Sequence, residues 1–135
     1  MRAHTLISAG LVLAFTLGCA NSEGPQGLPA CSGPVTLSVG PGTTPLFSWT
    51  PSCRAGLLVV DPNSDFVAAW SVKTVGDTNG LQPPIGYGES PSGSTTLVRA
   101  GGPLQVGTQY RVRVYRATGD TAYLFEAIGG TFFRP

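Results

Sequence analysis

The residues of this chain with chemistry to offer are few. Three cysteines stand at positions 19, 31 and 53. Cys19 closes an apolar run from Leu6 to Gly18, and Arg2 stands ahead of that run. A positive residue, a short apolar stretch and a small residue before the cysteine read as an export signal. The run is shorter than the roughly 20 residues that a membrane-spanning helix needs. Cys31 and Cys53 then remain as a pair. Two thiols in an oxidising compartment read as one disulfide, with two free thiols as the alternative. Closing a loop of about 22 residues stabilises by roughly 3 kcal/mol.

Other chemistry is poorly supplied. The single histidine, His4, lies inside the export segment, so a mature chain has no imidazole for a Ser-His-Asp or Cys-His site. Zinc loses its commonest ligand for the same reason. Ser71 and Lys73, two apart on a strand, share one face, and they read as a solvated edge rather than a catalytic dyad. Asp61, Asp65, Asp77, Glu89, Asp120 and Glu126 supply carboxylates, and a pair of carboxylates is what glycoside hydrolysis requires. The runs Asp61-Pro62-Asn63-Ser64-Asp65 and Asp77-Thr78-Asn79-Gly80 hold oxygen ligands but lack the calcium-loop spacing with its distal Glu. Tight turns use the same residues. The expectation is no catalytic residue, no metal and no cofactor.

Thr16-Leu17-Gly18-Cys19 resembles the lipobox of bacterial lipoproteins, with Gly18 and Cys19 on the pattern and Thr16 where Leu is usual. The resemblance implies a lipidated Cys19 as the mature N-terminus and a stable membrane anchor, because each buried methylene contributes about 0.8 kcal/mol. It also implies a cell-envelope address, periplasmic or extracellular. Ala20 after the cysteine is compatible with the outer membrane in a host with two membranes. The alternative is ordinary secretion with cleavage after Ala20, which removes the cysteine.

The chain has 135 residues, and removing 18 leaves 117, the size of one domain. It carries 8 Lys and Arg against 7 Asp and Glu, and losing Arg2 makes the balance 7 to 7. Neutrality argues against nucleic acid as a partner, which calls for a basic footprint. The division expected is a signal over 1–18, a lipidated N-terminus and Gly/Pro-rich tether over 19–34, and a folded domain over 35–135.

With 19 glycines and 12 prolines, the composition suits short strands joined by tight turns. Strand-like runs cover 35–39, 46–50, 56–60, 66–75, 95–99, 109–115, 123–128 and 131–133. Their spacing predicts an all-β, antiparallel β-sandwich of about seven strands. Only 66–75 could hold a short helix. The clearest run, Gln109 to Tyr115, puts Tyr110, Val112 and Val114 on one face and Arg111 and Arg113 on the other. One face is therefore buried and the other wet.

Leu104-Gln105-Val106-Gly107-Thr108-Gln109-Tyr110-Arg111-Val112-Arg113-Val114 resembles the strand E to F region of fibronectin type III modules. Leu46-Phe47-Ser48-Trp49-Thr50-Pro51 resembles their strand B. The resemblance implies a fibronectin type III-like or immunoglobulin-like sandwich, with Tyr110 as a tyrosine-corner residue. Such modules bind, space or present.

Two surfaces are candidates for that work. The loop over 76–94 is long, and Ile85 and Tyr87 are its apolar anchors, suited to a sugar or peptide unless they pack back on the core. Arg111 and Arg113, with Arg99, form a basic face suited to phosphate or acidic glycan, unless solvated or paired with carboxylates across the strands. The sequence therefore points to a lipid-anchored, non-catalytic binding or structural module of the cell envelope. Its partners are the membrane and an envelope protein or glycan. A carbohydrate-binding module and a small envelope glycoside hydrolase are the alternatives.

Overall fold

A computed structural model describes residues 27–63 and 67–135. The export segment and Cys19 lie outside the described residues. Eight strands follow in order: β1 (Thr36–Val39), β2 (Leu46–Thr50), β3 (Leu57–Pro62), β4 (Trp70–Thr74), β5 (Ile85–Gly86), β6 (Ser94–Val98), β7 (Tyr110–Ala117) and β8 (Phe125–Phe133). They form two antiparallel sheets, one of order β1-β2-β5 and one of order β6-β4-β3-β7-β8. The protein is an all-β sandwich.

Alternation decides what each strand buries. In β2, Phe47 and Trp49 point inward, and in β7 Tyr110, Val112 and Val114 do the same. Leu58 and Val60 of β3 and Trp70 and Val72 of β4 complete the middle of the core. The Phe47 and Trp70 rings stack with centroids 6.2 Å apart. The two sheets are also joined by backbone, because the Val35 N–H donates to the Ile128 carbonyl at 2.8 Å. That bond brings the β1 edge over β8.

The strand count differs from the expected set in two places. Residues 123–128 and 131–133 form one strand, since β8 runs through Gly129 and Gly130 without a break. The glycines there make room for a neighbour: a Cβ at Gly129 would stand 2.6 Å from the Val35 carbonyl oxygen. The added strand is β5, inside the long 76–94 loop, where Phe47 pairs with Ile85. No helix forms over the described part of 66–75, where Trp70 and Val72 are needed as inward-facing strand residues.

The large sheet runs β8-β7-β3-β4-β6, and the chain visits the small sheet as β5 before it returns to the outer edge of the large one as β6. Tyr110 makes the corner expected of it. Its hydroxyl accepts a hydrogen bond from the Gln105 N–H at 3.0 Å and ties the β6–β7 connection to the base of β7.

The chain joins the sandwich before residue 35. Cys31 and Cys53 form a disulfide with Cα atoms 4.9 Å apart. Ala30 bridges Arg54 in parallel, and Arg54 Nε donates to the Leu28 carbonyl at 2.6 Å. Residues 28–34, assigned to the tether by their Gly and Pro content, are thus bound to the domain. The disulfide expected for Cys31 and Cys53 is what fastens this segment, whose Gly and Pro content registers only its irregular backbone.

Candidate functional site

The outer face of the large sheet carries the densest charge cluster among the described residues. It follows from register. Asp61 of β3 lies directly opposite Arg111 of β7, and Arg113 is the next outward residue along β7. The Asp61 carboxylate is only 2% exposed and accepts one hydrogen bond on each oxygen. Arg111 Nη2 donates to Oδ2 at 2.9 Å, and Arg113 Nη2 donates to Oδ1 at 3.2 Å. Two guanidiniums share one carboxylate, so the cluster keeps one net positive charge.

Each arginine makes one contact to Asp61, so most of its N–H groups are not used there. The Nε groups of both are buried without an acceptor, so only the outer guanidinium nitrogens can meet a ligand. Arg113 is held from a second side, its guanidinium carbon 5.7 Å from the centre of the Tyr115 ring. Beside the pair lies an open depression of about 440 Å³, lined by Arg111, Arg113, Ala127, Gly129, Gly130, Thr131 and Phe132. Gly130 stands opposite Arg113, so the floor there is bare backbone. Phe132 stands opposite Arg111, on the same face, and is 53% exposed. The arrangement offers oriented cationic donors beside a free aromatic ring.

Ile85 and Tyr87 are placed elsewhere. Both are core residues, and Tyr87 is only 9% exposed. Its ring meets Trp70 edge-on at 5.6 Å, and its N–H donates to the Pro45 carbonyl at 2.9 Å. Burial, with Tyr110 nearby, raises the Tyr87 pKa above its ordinary value. The rim of Tyr87 reaches an open depression of about 600 Å³ that Leu104, Gln105 and Tyr110 also line. The 76–94 loop packs inward because a long connection needs apolar contacts to be ordered.

The carboxylates are dispersed. Glu89 accepts a hydrogen bond from the Gly86 N–H at 2.9 Å, and Glu126 is paired with Arg116 at 2.6 Å. Asp77 pairs with Lys73 in a turn where its own φ is +52°. Asn79 bridges both backbone groups of Ala117. Among the described residues no three His, Cys, Asp or Glu side chains gather as metal ligands. Arg99 follows β6, three strands from β7, which is about 14 Å at ordinary strand spacing. The structure does not bring it to the Arg111–Arg113 pair.

Phe132 is the site residue that sequence reasoning missed, and Asp61 is the cross-strand carboxylate that the alternative reading of Arg111 and Arg113 called for. Asp61 begins a turn-like run, Asp-Pro-Asn-Ser, and so reads as a strand end. It belongs to β3, which continues to Pro62. The signal available was the two arginines at alternate positions of an otherwise apolar strand, which call for a carboxylate on the neighbouring strand. Comparison of the chain with family models, with curated proteins and with solved structures finds no match.

Proposed function

We propose that this chain is a lipid-anchored cell-envelope protein whose sandwich domain binds a partner and catalyses nothing itself. The lipobox-like Thr16-Leu17-Gly18-Cys19 supports the anchor. Among the described residues the first one bound to the domain is Leu28, nine residues after Cys19. Nine extended residues span at most about 30 Å, which keeps the domain close to the membrane surface. The observation that carries the binding reading is the Arg111–Asp61–Arg113 cluster on an open sheet face. Donors already oriented by a buried carboxylate lose little freedom when a ligand arrives. The fibronectin type III-like or immunoglobulin-like kinship belongs to the same proposal, supported by the tyrosine corner.

The test of the anchor is the intact mass of the membrane-extracted protein, with Cys19→Ala alongside. The expected result is a chain beginning at Cys19 that carries acyl mass, which the variant lacks. A soluble chain beginning at Asn21 overturns the anchor and leaves a secreted module.

A further inference from the structure

We propose that the depression beside Arg111 and Arg113 is a binding site for an acidic sugar, the carboxylate of a uronic acid within an envelope glycan. The inference rests on the binding-module reading and names its ligand. Three features of the site converge on this chemistry.

The first is charge. Asp61 neutralises one of two guanidiniums, and both arginine side chains are about one-third exposed, so one positive charge faces the depression. A second carboxylate completes the set, since guanidinium donors match carboxylate geometry. The second is the aromatic ring. Arg111 and Phe132 are register partners, so their Cα atoms lie about 5 Å apart with both side chains outward. A pyranose ring has a C–H face that can rest on Phe132 while its own carboxylate reaches the guanidinium beside it. The third is access. Gly130 stands opposite Arg113 and leaves the floor open there, and Ala127, Gly129 and Thr131 complete the lining.

An acidic peptide is the competing occupant, and the fold opposes it. An extended peptide would add to the free edge of β8. That edge already receives the Val35 N–H at Ile128, and Val35 also abuts Gly129. The continuous backbone ladder such a peptide needs is interrupted there.

The experiment is amide NMR of the mature chain carrying Cys19→Ala, titrated with sodium glucuronate, glucose, acetate and tetra-glutamate at low ionic strength. Glucuronate is expected to move the signals of Arg111, Arg113 and Gly129 to Phe132, with glucose and acetate at least tenfold weaker. Salt weakens the effect. Arg113→Gln and Phe132→Ala each reduce the affinity tenfold or more. An unchanged amide signal for Gln105, whose N–H reports the tyrosine corner, shows that both variants remain folded. Equal responses to acetate and glucuronate, a stronger response to tetra-glutamate, or no response at these residues overturns the proposal. Shifts around Tyr87 instead overturn this site while leaving a binding module.

Discussion

Asp61 faces Arg111 directly across the β3–β7 ladder, and its carboxylate accepts the Arg111 Nη2–H at 2.9 Å while Arg113 takes the other oxygen. Three charges therefore depend on one buried group. Replacing Asp61 by Asn keeps the shape but turns an acceptor into a donor that faces guanidinium. Loss of one partner of a fully buried pair costs about 3–5 kcal/mol. The arginines are 32% and 33% exposed, and water screens part of the loss. We expect Asp61→Asn to destabilise by about 2 kcal/mol, lowering Tm by roughly 10 °C. A change below about 0.5 kcal/mol in urea unfolding contradicts this account and marks the cluster as a solvated surface pair.

At Gly129 the backbone of β8 lies against Val35, the residue ahead of β1. A Cβ there would lie 2.6 Å from the Val35 carbonyl oxygen and 2.8 Å from Val35 Cγ2. The oxygen is backbone and moves only with β1. Overpacking of this kind costs about 1–3 kcal/mol, so Gly129→Ala lowers the urea midpoint accordingly. Gly33→Ala is the matched control, because a Cβ there meets nothing within 4 Å. Equal stability of the two variants would show that β1 does not rest on β8.

The disulfide holds the segment ahead of β1 against the turn after β2. Cys53 also offers its carbonyl to Trp49 Nε1 at 2.9 Å, so the bridge fixes backbone that a core side chain needs. Changing both Cys31 and Cys53 to Ser should cost about 3 kcal/mol. Proteolysis should then begin in the 28–34 segment, which keeps only hydrogen bonds to the domain. Mass mapping of the first cleavage products reads this directly, and first cuts elsewhere in the chain argue against it.

Tyr87 links pH to stability. Its folded pKa lies above the ordinary 10.0 because burial disfavours the phenolate, with Tyr110 adding to the effect. The native state therefore keeps this proton at a pH where the unfolded chain has released it. The contribution is complete below pH 10, and it is lost as pH rises through the folded pKa. Alkaline unfolding monitored by tryptophan fluorescence should be shallower in Tyr87→Phe above pH 10, with little difference at pH 7. Parallel curves for both proteins would assign the alkaline sensitivity to other groups.

The fold was largely legible from local pattern. Phe47 and Trp49, and Tyr110, Val112 and Val114, alternate so clearly that the buried face of β2 and β7 follows from a period of two. The cysteine pair also followed from the address that the segment ending at Cys19 implies. Strand edges were less legible. Gly129 and Gly130 read as a break because glycine is poor in strands, whereas here the missing Cβ admits Val35. Ile85 and Tyr87 read as a working loop because nothing local shows that Ile85 pairs with Phe47 of β2, some forty residues earlier.

By itself the sequence determined the all-β class, the inward faces and the wet placement of Arg111 and Arg113, and it left the cysteine pair as the favoured of two readings. These are properties of residue type and short period, which the chain carries locally. The tertiary structure alone decided that Asp61 stands under both arginines, that Phe132 lies free beside them and that Tyr87 is buried. Each depends on which strands become neighbours and in what register. That register is set by the cooperative packing of two sheets, which brings together residues as far apart in the chain as Asp61 and Phe132.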